Sequence, residues 1–175
     1  IFGFDMGSGS AEDFYNEGIR LSFEQWGVSG YESYIAQNSA PQIVYVDPNN
    51  GKDTYSSTLS TASVAWKNGT LDEMQERIII QKWIANWLLG NESWADYRRT
   101  GYPKLFRPKQ NLAPSIIDTQ LGPRRLLYNE TELSSNTVEV NNAIQLLKAE
   151  SSEVKGDGDT GGTRLWWDRK DKGNF

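Results

Sequence analysis

The sequence predicts a mainly α-helical chain with long irregular connections and at most short strands. Three observations carry that expectation. Apolar residues recur at helical spacing in three separate segments, two of those segments open on capping signals, and the stretches between them are rich in Gly, Pro, Ser and Asn. Ser10 with Asp13 caps a first helix, in which Tyr15, Ile19, Phe23 and Trp26 share a face before Gly27 closes it. Tyr31–Gln37 reads as a shorter helical piece after Gly30, ended by Asn38-Ser39-Ala40-Pro41. Ile43-Val44-Tyr45-Val46 reads as a short extended segment, terminated by the turn chemistry of Asp47-Pro48-Asn49-Asn50-Gly51. The Ser/Thr-rich stretch Thr54–Ser63 is expected to be an exposed connection.

The clearest start signal follows. Thr70 with Glu73 three residues on forms a capping box, Asp72 adds favourable charge near the helix dipole, and the helix is expected to run to Leu89. Met74, Ile78, Gln81, Ala85 and Leu88 lie along one stripe and Ile80, Trp83, Ile84 and Trp87 along another, so this helix should sit between layers. Gly90 is placed as its left-handed stop, and Asn91 or Ser93 opens a helix carrying Trp94, Tyr97 and Arg98, the two helices meeting in a tight corner. Pro103, Pro108, Pro114 and Pro123 disfavour continuous helix through Leu121. A last helix, Val138–Lys148, carries Val140, Ala143, Ile144 and Leu147 on one face.

Composition excludes several functions. The chain has 175 residues and a formal net charge of -5, with a pI near 4.8 and a mean hydropathy of -0.64. Phosphate-tracking surfaces need clustered, uncompensated Lys and Arg, so nucleic acid is not an expected partner. No apolar run approaches the roughly 18–20 residues that span a bilayer as a helix. With neither Cys nor His, the chain offers no disulfide, thiol nucleophile, imidazole base or usual zinc ligand set. Acidic residues are plentiful, 23 in all, but no pair has the context of a two-carboxylate glycosidase.

Trp94-Ala95-Asp96-Tyr97-Arg98-Arg99-Thr100-Gly101-Tyr102-Pro103, following a helix rich in isoleucine and tryptophan, forms a W-x-x-Y-R-R-T-G-Y-P pattern. Two further segments accompany it in order. These are Pro123-Arg124-Arg125-Leu126-Leu127-Tyr128, with Glu132 and Asn141-Asn142 beyond, and Gly161-Gly162-Thr163-Arg164-Leu165-Trp166-Trp167-Asp168. Together they resemble the carboxy-terminal part of the SusD/RagB nutrient-binding outer-membrane lipoproteins of Bacteroidetes. The resemblance implies the carboxy-terminal part of a SusD-like α-helical fold, with residues 1–175 forming a single unit that is a fragment of a longer protein. It also implies a non-enzymatic surface protein, lipid-anchored in the outer membrane at full length. Such a protein captures oligosaccharides or oligopeptides and works with a TonB-dependent, SusC-like transporter. The amino-terminal part would be a partner of this chain. The opening Ile1-Phe2-Gly3, without initiator Met, signal pattern or lipid-accepting cysteine, agrees with a fragment. The alternatives are a glycan-active hydrolase and a helical protein-interaction module.

Each candidate site residue has a competing structural reading. Trp94, Tyr97, Arg98, Arg99, Gly101, Pro103, Pro123, Arg124, Arg125, Trp166 and Trp167 belong to the family pattern and are assigned structural roles. For Arg98 and Arg99, the carboxylates of Glu73, Glu76 and Asp96 are the expected partners. Trp26, Trp66, Trp83, Trp87 and Trp94 lie in or beside helices and are best explained as core. Tyr45, Tyr55 and Trp66 stand in or near irregular polar sequence and are the ligand-binding candidates. Asp157, Asp159 and Asp168 take the first, third and twelfth places of a calcium-loop spacing, with Gly162 at the sixth, but Gly161 stands where an oxygen ligand belongs. The preferred reading there is a flexible glycine-rich turn returning Leu165, Trp166 and Trp167 to the body, with no cofactor. Three Asn-x-Ser/Thr matches, at Asn68, Asn91 and Asn129, are read as coincidental.

Overall fold

In the computed structural model, residues 1–40, 43–46, 48, 54–57 and 59–168 are described. They form α1 (Ala11–Trp26), α2 (Tyr31–Ile35), β1 (Ile43–Tyr45), β2 (Tyr55–Ser57), α3 (Leu71–Ala85), α4 (Gly90–Thr100), α5 (Glu130–Ser135) and α6 (Thr137–Glu150). The mainly helical architecture with short strands is as the sequence predicts. The chain divides into two compact units, Ile1–Tyr97 with Tyr102–Leu105 and Arg98–Gly101 with Phe106–Phe175.

In the first unit, both expected capping boxes form. The Ser10 hydroxyl accepts from the Asp13 amide and the Asp13 carboxylate accepts from the Ser10 amide, an arrangement that Thr70 and Glu73 repeat at the start of α3. Gly27 closes α1 in the left-handed region, at φ 62°. α1 packs on both α2 and α3. Tyr15 and Ile19 are buried on the face the spacing picks out. The Tyr15 hydroxyl donates to the Val64 carbonyl at 2.6 Å, and burial pushes that phenol well above its usual pKa. Phe23 meets the rings of Tyr34 and Tyr31 at 5.3 and 6.0 Å.

Three expectations change here. Thr54–Ser63 is not simply an exposed connection, because β2 lies within it and pairs antiparallel with β1 in the register Ile43↔Ser57, Val44↔Ser56, Tyr45↔Tyr55, and Ser63 is buried at its end. Thr and Ser tolerate a pleated strand well enough once a partner supplies the ladder. The expected turn Asp47–Gly51 lies, apart from Pro48, outside the described residues.

The second change concerns the length of α3, which ends at Ala85 with Asn86 as its cap, so Gly90 is not its stop. The left-handed residue is Leu88, at φ 73°; the Leu89 amide bonds back to the Asn86 carbonyl, and Gly90 instead opens α4. The third concerns which face of α3 is covered. Its buried residues are Glu76, Arg77 and Ile79, while Ile84 and Trp87 are exposed. Arg77 earns its burial by donating to the carbonyls of Ser63 (3.2 Å) and Lys67 (2.9 Å), and Glu76 faces Lys104 at 3.2 Å. Trp26 and Trp87, expected in the core, are 46% and 69% exposed.

The second unit holds α5 packed on α6 and two long irregular segments. The helix expected over Val138–Lys148 is α6, longer by a residue before and two after, and α5 precedes it with Asn129 as a side-chain cap that bonds the Thr131 amide. At the centre of this unit lies residues 160–164. Thr160, Thr163 and Arg164 are buried, Thr163 at 0% exposure. The expected flexible turn is therefore a buried strap. The Gly161 amide donates to the Ile116 carbonyl, and its own carbonyl accepts from the Arg124 amide, both at 2.6 Å. A Cβ on Gly162 would stand 2.8 Å from that of Asp118, and one on Gly161 would stand 3.1 Å from the Ile116 carbonyl oxygen. Close approach, rather than mobility, calls for glycine at 162 and leaves little room for a side chain at 161.

Candidate functional site

Within the first unit, two of the three ligand candidates meet. Tyr45 and Tyr55 are directly opposite across the β1–β2 pair, and opposite residues project to the same face of a hairpin. Tyr45 is 44% exposed and Tyr55 is half-buried. Two phenols on one face of the hairpin, each with an apolar ring face and a hydroxyl edge, suit stacking against a sugar or an aromatic side chain. Trp66 is placed differently. It is half-buried, its ring centroid lies 5.2 Å from that of Tyr15, the Arg77 guanidinium stands over it at 6.0 Å, and its indole nitrogen donates to Asn68 at 3.0 Å. Its packing joins α1 to α3.

The same unit carries an open groove of about 790 Å³ between α1 and α3, lined by Phe14, Ile19, Phe23, Trp26, Ile84 and Trp87 among others. The sequence carried a signal for it, since the apolar residues of α3 wrap more than one face. The tryptophans were assigned to core packing instead.

The family-pattern residues have mixed surroundings. Gly101 follows α4 at φ 78°, a glycine stop. Tyr97, Tyr102 and Pro103 are buried, and the Tyr102 hydroxyl donates to Asp72 at 2.7 Å. Trp94 and Arg99 are half-buried and Pro123 is exposed. Of the acidic residues named beside Arg98 and Arg99, Glu73 caps α3, Glu76 meets Lys104 at 3.2 Å, and Asp96 meets Lys82 at 2.7 Å.

In the second unit a group of arginines converges on Asp168. Arg124 forms a fork to its carboxylate through Nε (2.7 Å) and Nη2, and Arg164 adds Nη1 at 2.8 Å. Arg98 and Arg124 exchange bonds with each other's carbonyls at 3.1 and 2.8 Å. The Arg98 guanidinium also stands 4.8 Å over the Trp167 ring. Burial pulls its pKa below the usual arginine value, against the opposing charge of Asp168. Glu153 takes the Nε of Arg164 at 2.8 Å, and that bond holds its carboxyl below the ordinary range. Arg125 pairs with Asp159, which also accepts from the Tyr128 amide.

This arrangement disposes the three candidate calcium ligands. Asp168 and Asp159 are committed to arginines and Asp157 is exposed, so the structure does not bring them together. Among the described residues there is no group of three or more acidic side chains that could hold a metal ion. Trp167 is half-buried under Arg98, whereas Trp166 is 66% exposed.

Residues 1–168 match the sequence profile of the family described as SusD and RagB outer membrane lipoprotein. The chain belongs to the SusD-like family. Solved SusD homologues agree. One from Bacteroides uniformis is 48% identical with a TM-score of 0.82, covering 97% of this chain and 34% of its own. One from Bacteroides thetaiotaomicron is 44% identical with a TM-score of 0.81, covering 93% and 34%. A chitin-binding SusD homologue from Flavobacterium johnsoniae is 39% identical with a TM-score of 0.81, covering 99% and 34%. The SusD-like chain thus spans about a third of the length of these solved relatives. No match is found among curated proteins. Among its described residues no helix is long and apolar enough to cross a membrane.

Proposed function

We propose that this chain is the carboxy-terminal part of a longer, lipid-anchored SusD-like protein that captures oligosaccharides at the outer membrane without turning them over. It hands them to a TonB-dependent, SusC-like transporter. The observation that carries the reading is the family match over residues 1–168, and the chitin-binding function of one relative favours a saccharide over a peptide ligand. Tyr45 and Tyr55 are the proposed contacts within this chain, a stacking platform on the hairpin. Trp66 is the third candidate, with its ring already engaged by Tyr15 and Arg77.

A glycosidase acid needs a carboxyl held above its ordinary pKa; the carboxyls of Asp13, Glu17, Glu73, Asp118 and Glu153 are held below it, first by their hydrogen bonds, and so do not suit that role. The test is calorimetric titration of the full-length protein with chito-oligosaccharides and with a mixed oligopeptide set, alongside product analysis. Saturable saccharide binding without products, weakened in Tyr45→Ala and Tyr55→Ala, is expected. Saturable binding of peptides alone, or release of shorter sugars, would overturn the saccharide-capture reading.

A further inference from the structure

An asparagine followed by glycine can react with its own backbone. The glycine nitrogen, with no side chain beside it, is open to attack the side-chain carbonyl carbon of the asparagine and close a five-membered ring. Asn68-Gly69 is such a pair, and both residues are exposed. No described residue accepts a hydrogen bond from the Gly69 amide, so its nitrogen can lose its proton and attack without first breaking one. A Cβ at Gly69 would stand 2.6 Å from Glu73 Oε2, so a residue with a side chain there would displace the carboxylate that caps α3.

The indole of Trp66 supplies a second group. Its Nε1 donates to the Asn68 side-chain oxygen at 3.0 Å, and its ring is held between Tyr15 at 5.2 Å and the Arg77 guanidinium at 6.0 Å. Negative charge collects on that oxygen as the ring closes, so a donor already aimed at it lowers the barrier. Asp157-Gly158 could react in the same way, but there the glycine amide donates to the Lys155 carbonyl at 3.1 Å. Its nitrogen is engaged where that of Gly69 is not. Asn50-Gly51 lies outside the described residues.

We propose that Asn68-Gly69 is a self-modification site, at which the folded protein converts asparagine to aspartate and isoaspartate with water as the co-reactant. The Gly69 nitrogen bonds to Asn68 Cγ and gives up its proton; the Cγ–Nδ2 bond breaks, and Nδ2 takes a proton and leaves as ammonia. Water then opens the ring. Addition at Cγ gives aspartate on the original backbone, whereas addition at the α-carbonyl carbon gives isoaspartate, whose main chain runs through Cγ and is one carbon longer. The longer form strains two ties. Arg77 holds the Lys67 carbonyl at 2.9 Å on one side of the site, and the Glu73 carboxylate holds the Thr70 amide at 2.8 Å on the other. An extra main-chain carbon between them draws Thr70 out of its capping box and frays the first turn of α3.

The test incubates the native full-length product at mildly alkaline pH, folded and in urea, and follows each pair by peptide mapping with fragmentation that separates aspartate from isoaspartate. Conversion at Asn68 in the folded protein should run within about threefold of its unfolded rate, and conversion at Asp157 at least about tenfold below its own, the difference between an unbonded and a bonded amide. Slower folded-state conversion at Asn68 would overturn the proposal. Trp66→Phe keeps a ring and removes the donor. It should slow the folded-state reaction at least about tenfold and leave the unfolded rate alone; an unchanged folded rate would take the indole out of the mechanism. Hydrogen exchange separates chain length from charge. In the isoaspartate fraction the Glu73 and Met74 amides, which bond to the Thr70 hydroxyl and carbonyl, should exchange about tenfold faster than in fresh protein. Freshly made Asn68→Asp, which adds the charge alone, should leave them protected. Equal exchange in all three forms, or equal acceleration in both modified ones, would refute the effect on α3.

Discussion

Replacing Asp168 tests whether the second unit is held by charge. Its carboxylate is 0% exposed and takes three donors, two from Arg124 and one from Arg164, which are themselves only 3% and 7% exposed. Without it, the buried Arg124 guanidinium loses its carboxylate and Arg164 keeps only its bond to the half-exposed Glu153 among the acids described above. Removing one partner of a buried ion pair costs about 3–5 kcal/mol, because the other charge stays desolvated. Coulomb attraction gives the same scale, ~4 kcal/mol for a pair near 4 Å at an effective dielectric of about 20. For a chain of this size, that is a fall in melting temperature of roughly 6–20 °C at about 2–4 °C per kcal/mol. The assay is thermal unfolding by circular dichroism at pH 7 for Asp168→Ala and Asp168→Asn. Asparagine keeps the volume and removes the charge, so its deficit isolates the electrostatic part. Glu153→Gln serves as a control, because that carboxylate is 35% exposed and its loss should cost little. Should Asp168→Asn unfold within about 1 kcal/mol of the unmodified chain, the claim that charge holds this interior would be wrong.

Two further outcomes follow from caps and carboxylates. Thr70→Ala removes one side of the α3 capping box and should cost about 1 kcal/mol, measured by urea unfolding, with Thr70→Ser close to unchanged; equal losses in both would point to a different cause. The lowered pKa values of Glu153, held by Arg164, and Asp118, held by the Leu121 amide, give a signed pH dependence. Their folded values lie below the ordinary 4.5 and 3.8. Their stabilisation is therefore present in full above the ordinary carboxylate range and is lost as pH falls through the folded values. Melting temperature followed from pH 7 to pH 2 should be flat above about pH 5 and then fall, less steeply in Glu153→Gln. A rise on acidification would contradict the assignment.

Helix starts were legible because their chemistry is local. Ser10 with Asp13 and Thr70 with Glu73 each bring donor and acceptor within one turn, and no distant residue is needed to decide them. The end of α3 was less so, since the sequence offers Gly90 as the obvious left-handed residue and the chain turns at Leu88 instead. β2 was missed because Tyr55-Ser56-Ser57 has no alternation of its own and becomes a strand only by pairing with β1. α5 carried its signal in Asn129, a capping side chain that was noticed only as part of a glycosylation pattern.

The site was legible in part for the same reason. Loop position pointed to Tyr45 and Tyr55, but their opposition across a hairpin depends on register. Spacing alone suggested a metal loop at Asp157, Asp159 and Asp168. Arg125 and Arg124, which claim two of those carboxylates, sit 34 and 44 residues upstream in sequence, beyond the reach of any local pattern. Of the arginines on Asp168 only Arg164, four residues before it, lay within local range. Buried Glu76 and Arg77 on α3 repeat the lesson: their partners, Ser63, Lys67 and Lys104, come from other segments, so the helix's own periodicity favoured the wrong face.

The strap at residues 160–164 has a consequence for how the second unit comes into being. Its ties reach back to Ile116, Arg124 and Glu153, and Asp168 beyond it neutralises a guanidinium 44 positions earlier. A growing chain emerging from a ribosome therefore exposes Arg124 and Arg125 before their counter-ions, Asp168 and Asp159, are synthesised. The interior of this unit closes only once its final segment arrives, making it a late, all-or-none step in which pairings distant along the chain form together.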